Sequence, residues 1–189
     1  MNHHDMTRNM VLAALFAALT AIGAFLQIPT GTVPITLQFL FTALAGLLLG
    51  WKWGAISQLL YVGIGLLGLP VFTQGGGIGY VLQPSFGFLL GLIPAAAVIG
   101  ALTARRTGYL TVLAAVLVGD LILYAVGVPY MYLILHVYMQ SAKTFSALLA
   151  AMLVYVPGDT LKIIVVTALA PVLRRTCLLY TSDAADEED

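Results

Sequence analysis

One short stretch of the sequence places two opposite charges among apolar residues. Residues 157–162 read PGDTLK, preceded by SALLAAMLVYV and followed by IIVVTALAPVL. Pro157 fits the first turn of a helix, where the macrodipole favours the negative charge of Asp159. Lys162 follows three residues later, so both side chains share one helix face. A carboxylate that accepts N–H bonds, beside an ammonium that donates to a carbonyl or carboxylate, suits a polar organic ligand.

Two interpretations of this pair stay open on the residues alone. Asp159 and Lys162 can be a structural pair, in which each ion neutralises the other and the carboxylate caps the helix. Alternatively they contact a ligand, because a charge within a membrane costs about 3 kcal/mol or more and marks a binding site or a pathway.

The composition indicates which solvent the fold faces. Of 189 residues, 61% are hydrophobic and 8% are charged, whereas a soluble domain has about 25% charged residues. A chain with so few polar groups for its surface is expected to lie in a lipid bilayer. We predict one membrane-embedded domain of the all-α class over residues 1–176.

Six apolar segments predict a polytopic bundle of six transmembrane helices. One or two short outer helices are expected between the fifth and sixth segments, and the tripeptide WKW separates the second from the third. The predicted spans cover residues 9–26, 37–50, 54–69, 85–104, 110–128 and 157–173.

The distribution of cations predicts the orientation of these spans. With the N-terminus inside, the outer connections hold only Lys143. Cytoplasmic loops carry an excess of Lys and Arg, so both termini are expected in the cytoplasm, with PGDTLK at the outer end of the last span. The inner cations are Arg8, Lys52, Arg105, Arg106, Arg174 and Arg175.

The last residues differ in composition from the rest of the chain. Residues 177–189, CLLYTSDAADEED, hold five of the eight acids and have no helical period. Most of this stretch resembles the translated read-through of a transposon-type sequencing adapter. We therefore expect a non-native or disordered tail, with a natural acidic tail as the alternative.

The first two outer connections are uncharged and rich in glycine, proline and neutral polar residues. Apolar walls with a few oriented polar groups suit the capture of a small organic molecule. GGGIG at 75–79 is not a nucleotide site, because no Gly-Lys-Ser/Thr follows it. The side chains expected to supply polar groups or walls are Thr36, Gln38, Phe72, Gln74, Tyr80, Gln83, Ser85, Phe86 and Phe88.

A further acid, Asp120, lies within the fifth predicted span, with Tyr124 one helical turn away. It is either a cavity acid or a carboxylate hydrogen-bonded to a neighbouring helix. His136 is expected at the membrane interface, and no metal site is expected because no second ligand lies at metal spacing.

The first span carries small residues at four-residue spacing, which lets another helix approach closely. This surface either packs inside the protein or docks a partner. Its residues are Ala13, Ala17 and Ala21 on one stripe, with Ala14 and Ala18 beside it.

Five motifs follow one another along the chain: VPITLQ at 33–38, GLPVF at 68–72, the glycine-rich loop at 75–79, GVPY at 127–130 and PGDTLK at 157–162. In this order they resemble the BioY family, the biotin-specific S components of energy-coupling factor (ECF) transporters. The resemblance covers nearly all of residues 7–175. One departure is PSFGF at 84–88, where the family often has PTGGY, and it bears on pocket shape and substrate preference.

The resemblance implies a high-affinity biotin receptor with the S-component fold, in the plasma membrane of a prokaryotic cell. It implies that Asp159 and Lys162 bind the vitamin and that the alanine stripe docks on a transmembrane coupling subunit, which works with two ATPase subunits. No cofactor, no enzymatic activity and no nucleic-acid partner are expected. The candidate substrate contacts are Gln38, Phe72, Tyr80, Gln83, Phe86, Tyr124, Asp159 and Lys162.

Other functions compete with this one. The chain can be an S component for another small vitamin, or a proton-coupled carrier with Asp120 and Asp159 as titrating acids. A membrane enzyme is disfavoured, because no catalytic histidine faces these acids. A purely structural membrane protein would bind no ligand.

Overall fold

The computed structural model describes residues 3–29, 33–105 and 108–186, with side chains described between Asp5 and Leu173 of these ranges. Arg106 and residues 30–32 lie outside the described residues. Residues 30–32 belong to the predicted first outer loop, residues 29–37, and both stretches were used in the predictions above. The described chain is mostly helical, as predicted. Its elements are α1 (His3–Phe25), β1 (Gln27–Ile28), β2 (Ile35–Thr36), α2 (Gln38–Leu66), a 3₁₀ turn (Ile78–Leu82), α3 (Phe86–Leu102), α4 (Tyr109–Leu133), a π-helical turn (Ile134–Tyr138), α5 (Phe145–Met152) and α6 (Val156–Asp186).

Helix α2 consists of two antiparallel helices that meet at Gly50. The backbone of Gly50 is not helical, with φ 76° and ψ −178°, and only glycine adopts such a conformation readily. Residues across this turn contact one another: Thr42 Oγ1 donates to Gln58 Oε1 at 2.9 Å. Residues 38–49 and 51–66 therefore form a helical hairpin, which corresponds to the second and third predicted spans.

The position of the connection in this hairpin differs from the prediction. WKW at 51–53, expected to lie between two spans, is part of the second helix. The chain reverses its direction at Gly50 alone, because the positive φ of this residue makes the turn without a longer loop. Gly54 then packs directly on Gly46, and a Cβ added to Gly54 would lie 2.8 Å from the Cα of Gly46.

By length and composition, four helical segments of the described chain could cross a membrane: Asp5–Phe25, Gln38–Leu66, Tyr109–Tyr138 and Val156–Leu173. Of these, Gln38–Leu66 reverses at Gly50 and holds the two arms of the hairpin. Helix α3 is apolar but shorter, with 17 residues. With α2 counted as two helices, these segments make up the all-α bundle that the sequence predicts.

A buried polar seam holds α1 to the hairpin. We define this seam by Thr20, Thr42, Ser57 and Gln58, whose side chains are fully buried. Gln58 Nε2 donates to Thr20 Oγ1 at 3.3 Å and to Ser57 Oγ at 3.1 Å. Polar groups in hydrocarbon must find partners inside the protein, and here three helices supply them to one another.

Small residues bring the other helices close together. α2 packs on α1 and α3, α3 packs on α4, and α6 contacts both α2 and α4. A Cβ on Gly46 would collide with the carbonyl of Ala96 in α3, and one on Gly100 would collide with the backbone at Trp51. Within lipid there is no hydrophobic driving force between helices, so the van der Waals contacts that this close approach allows hold them together instead.

The β1–β2 pair and helix α5 border the first outer loop. β1 pairs antiparallel with β2, with Gln27 opposite Thr36. Helix α5 lies where a short helix was predicted between the fifth and sixth spans, and its Leu148 and Met152 pack in one cluster with Val33 of that loop. The loop and α5 thereby lie against the same side of the bundle.

Candidate ligand-binding site

The two charges of PGDTLK form a buried ion pair. Lys162 Nζ lies 2.5 Å from Asp159 Oδ1, and the two side chains are 9% and 8% exposed. Tyr124 of α4 donates its hydroxyl proton to Asp159 Oδ2. Lys162 Nζ also donates to the backbone carbonyl of Thr36 at 3.3 Å. The pair therefore connects α6, α4 and the first outer loop, and each ion already has a polar partner beyond the other.

A cavity lies beside this pair, between the first outer loop, α3, α4 and α6. Its volume is about 70 Å³. Its walls are mainly apolar, with several polar groups at fixed places, as in small-molecule sites. The lining residues are Val33, Pro34, Ile35, Thr36, Gln38, Phe39, Thr73, Tyr80, Ser85, Phe88, Leu89, Leu92, Leu123, Tyr124, Met152, Tyr155, Asp159 and Lys162.

Five of the eight predicted contacts line this cavity: Gln38, Tyr80, Tyr124, Asp159 and Lys162. Gln38 is held by two hydrogen bonds: its Nε2 donates to Tyr61 OH at 2.8 Å, and its Oε1 accepts from Thr36 Oγ1 at 2.9 Å. Tyr80 OH lies 2.9 Å from Thr73 Oγ1. These bonds fix the neutral polar groups without using their whole capacity.

The other three predicted contacts, Phe72, Gln83 and Phe86, are not among the lining residues. Phe72 is 1% exposed and packs on the ring of Tyr80, with ring centres 4.6 Å apart. Phe86 lies on another side of the same ring, at 6.4 Å. Both rings lie in the core, where they support Tyr80, and their contact with a ligand stays a prediction.

Removing the ring of Phe72 is expected to loosen Tyr80. Phe72→Ala opens a cavity in a packed aromatic cluster, and such a change costs about 3 kcal/mol of stability. We expect a lower melting temperature of the detergent-solubilised protein. Phe25→Ala is the matched control, because Phe25 is 60% exposed. Equal melting temperatures for the two variants would contradict the role assigned to Phe72.

Sequence reasoning missed several lining residues, among them Met152 and Tyr155. Both lie in a segment that the hydropathy pattern did not place. The sequence spacing could have indicated Tyr155, because it precedes Asp159 by four residues, about one helical turn. In the structure, the Asp159 N–H donates to the Tyr155 carbonyl at 2.9 Å. Tyr155 also donates its hydroxyl proton to the carbonyl of Val33, across the cavity.

Comparison with known proteins gives the family. The model of the BioY family matches residues 1–178. The chain belongs to the BioY family. Among curated proteins this BioY chain is similar to the "Probable biotin transporter BioY" of Lysinibacillus sphaericus, with 52% identity over 74% of this chain and 72% of that protein. It is also similar to the "Biotin transporter BioY" of Rhodobacter capsulatus, with 39% identity over 95% and 97% of the two chains.

A solved structure shares the fold. It is the crystal structure of "the S-component for biotin from an ECF-type ABC transporter", with a TM-score of 0.81 and 30% sequence identity. The match covers 93% of this BioY chain and 95% of that chain. The bundle described above is therefore an S-component fold, and the protein is a membrane protein of a transporter family.

In this BioY chain the alanine stripe is divided between the interior and the surface. Ala13 and Ala17 are 2% and 4% exposed and pack inside the protein. Ala21 is partly buried, whereas Ala14 and Ala18 are exposed. The burial of Ala13 and Ala17 by the protein's own helices fits the alternative of packing inside the protein for these two residues. Partner contact at Ala14 and Ala18 stays a prediction.

Two other predicted residues lie away from the cavity wall. Asp120 is not among the lining residues, and its Oδ1 atom is buried with no hydrogen-bond partner among the described residues. His136 is exposed and stacks on Tyr132, with ring centres 5.3 Å apart. Within the described residues, no group of three or more His, Cys, Asp or Glu could hold a metal ion.

Proposed function

We propose that this protein is the biotin-binding S component of an ECF-type transporter and mediates biotin uptake. One observation carries the proposal: the buried Asp159–Lys162 pair opens onto a small, mostly apolar cavity in a chain of the BioY family. The similar curated proteins are named as biotin transporters, and the similar solved structure is an S component for biotin, which supports the same ligand for this chain.

The chemistry of biotin suits this cavity. Its ureido group has two N–H donors and a carbonyl, which match a carboxylate and an ammonium. Its thioether ring and valeryl chain need apolar walls, which Phe39, Phe88 and Leu92 provide. Its carboxylate needs a donor, and Lys162 or a neutral hydroxyl such as that of Ser85 supplies one. We therefore assign the biotin site to this cavity, with Gln38, Tyr80 and Tyr124 as further contacts.

Transport energy is proposed to come from other subunits. The sequence carries no phosphate-binding loop, so ATP-driven uptake requires a transmembrane coupling subunit and two ATPase subunits. The exposed Ala14 and Ala18 offer a smooth surface on α1 for the coupling subunit. We infer that the chain itself needs no cofactor and catalyses no reaction.

We further infer six membrane passes, with both termini in the cytoplasm of a prokaryotic cell. The hairpin in α2 supplies two of the six passes. The excess of Lys and Arg in the inner segments supports the orientation, which places the cavity near the outer face.

Labelling of single cysteines introduced at Lys143 and Lys52 in intact cells tests this orientation. The cysteine at position 143 should react with an impermeant reagent, and the cysteine at position 52 should not.

The experiment that tests the function is calorimetric titration of the purified, folded protein with biotin, with riboflavin and thiamine as comparison ligands. Tight binding of biotin alone is expected. Absence of biotin binding by folded protein would overturn the assignment, and tight binding of another vitamin would redirect it.

Uptake into liposomes that contain only this protein distinguishes a proton-coupled carrier. Such a carrier takes up biotin in a pH gradient without any partner subunit, whereas an S component should not.

A further inference from the structure

The motif GVPY at 127–130 has no role in the site described above, although its glycine touches a residue of the cavity wall. Gly127 is a buried residue of α4, and the ring of Phe88 from α3 lies against it. A Cβ added to Gly127 would lie 2.4 Å from Cδ1 of that ring, whereas ordinary van der Waals contact begins at about 3.4 Å. No side chain therefore fits at position 127 while the ring stays where it is.

The ring of Phe88 is held by a second residue of α4. It packs edge-on against the ring of Tyr124, with ring centres 5.9 Å apart and planes at 88°. Phe88 and Tyr124 both line the cavity, whereas Gly127 does not. A side chain at position 127 would push the Phe88 ring away from α4, and the cavity beside Phe88 offers space for such a movement.

A small movement of this ring matters because the cavity is small. To bring the 2.4 Å contact to an ordinary distance, the ring has to move by about 1 Å, and the volume of the cavity is about 70 Å³. Close-packed protein interiors respond to a volume change of one methylene group. In an apolar pocket, one methylene group more or less changes affinity about 10–200-fold.

We propose that Gly127 is a positioning residue that sets the width of the ligand cavity. Its missing side chain lets the ring of Phe88 lie against α4, which leaves room for the fused rings of the ligand. Gly127 acts through Phe88 and does not touch the ligand, in agreement with its place outside the cavity wall. The inference rests on the proposed function and adds a residue that decides which ring systems the cavity accepts.

Gly127→Ala tests the proposal, because it adds one methyl group at this contact. We expect a loss of biotin affinity of about tenfold or more in calorimetric titration. The loss should be smaller for desthiobiotin, which keeps the ureido ring but lacks the thioether ring and is therefore narrower. Unchanged biotin affinity, or an equal loss for the two ligands, would overturn the proposal.

Gly119→Ala is the matched control on the same helix. A Cβ at Gly119 would lie 2.5 Å from Cδ1 of Ile99, so this methyl group also meets a buried side chain. Neither Gly119 nor Ile99 lines the cavity. Gly119→Ala should lower the melting temperature and leave the affinity for both ligands unchanged, which separates a loss of stability from a narrower cavity.

A second variant tests whether Gly127 acts through Phe88. Leucine is shorter than phenylalanine, so Phe88→Leu leaves space for the methyl group of Gly127→Ala. Phe88→Leu alone loses some affinity together with its wall contact, and Gly127→Ala added to it should cost little more. If Gly127→Ala alone does not fold, a folded double variant with the affinity of Phe88→Leu supports the proposal. An equal further loss of affinity in the two backgrounds, or a double variant that does not fold, would overturn it.

The wild-type protein separates this inference from the proposed function. If folded wild-type protein binds no biotin, the proposed function fails and the inference fails with it. If wild-type protein binds biotin and the variants of Gly127 and Phe88 do not behave as expected, the inference fails alone.

Discussion

Changing Lys162 to glutamine is expected to lower the affinity for biotin on the order of 100-fold and to destabilise the ligand-free protein. The amide cannot replace the charge that lies 2.5 Å from Asp159, so the buried carboxylate loses its ion pair. Removing one member of a buried pair costs about 3–5 kcal/mol, because the other charge stays uncompensated. Calorimetric titration measures the affinity, and thermal melting measures the stability.

The double variant Asp159→Asn, Lys162→Gln separates binding from structure. With both charges removed, part of the lost stability should return, while the biotin affinity should stay low because the ligand has lost both ionic partners. Lys143→Gln is the control, since Lys143 is exposed just before the start of α5. Recovery of affinity together with stability would mean that the pair is only structural.

Gly46→Val is expected to prevent assembly of the bundle. A Cβ at this position would collide with the backbone of Ala96 in α3, and Gly54 of the hairpin lies on the adjoining side. Neither obstacle is a side chain that can rotate away, so α2 and α3 would have to separate. Overpacking of this kind costs about 1–3 kcal/mol in adaptable cores, and more is expected against fixed backbone.

The same substitution at Gly63 provides a matched control in the same hairpin. A Cβ at Gly63 would have nothing within 4 Å, so Gly63→Val should leave the elution profile in size-exclusion chromatography and the melting temperature close to wild type. Gly46→Val should elute as aggregate or melt at a much lower temperature. A monodisperse Gly46→Val protein with wild-type melting would show that the α2–α3 contact is adaptable.

The main elements of this fold could be predicted because the membrane restricts the choices. Lipid permits few spanning structures besides the helix, so apolar length alone gave the spans, and a charged pair within a span pointed to the site. The reversal at Gly50 could not be predicted, because glycine is common in these helices and only the positive φ at this one marks a turn. WKW, with its cation between two tryptophans, looked more like a connection than Gly50 did.

Most polar groups of the cavity wall could be predicted from the sequence, although Gln83 does not line the cavity. Which phenylalanines line it could not be predicted. Asp159, Lys162 and Gln38 had few ways to be satisfied in a membrane protein, so their place at the cavity followed from chemistry. Phe72, Phe86 and Phe88 are chemically alike, and only packing decides that Phe88 faces the cavity while the other two support Tyr80. That decision depends on contacts between distant segments, such as the ring of Phe86 beside that of Tyr130, with ring centres 5.8 Å apart.

The polar seam has a consequence for how the protein is made. Thr20 leaves the ribosome first, Thr42 and then Gln58 follow, and Gln58 bonds to both. Each threonine hydroxyl also bonds a carbonyl of its own helix, but the amide of Gln58 depends on both threonines, and lipid supplies no substitute. We therefore expect α1 and both arms of the hairpin to stay together beside the insertion machinery and to enter the bilayer as a three-helix unit.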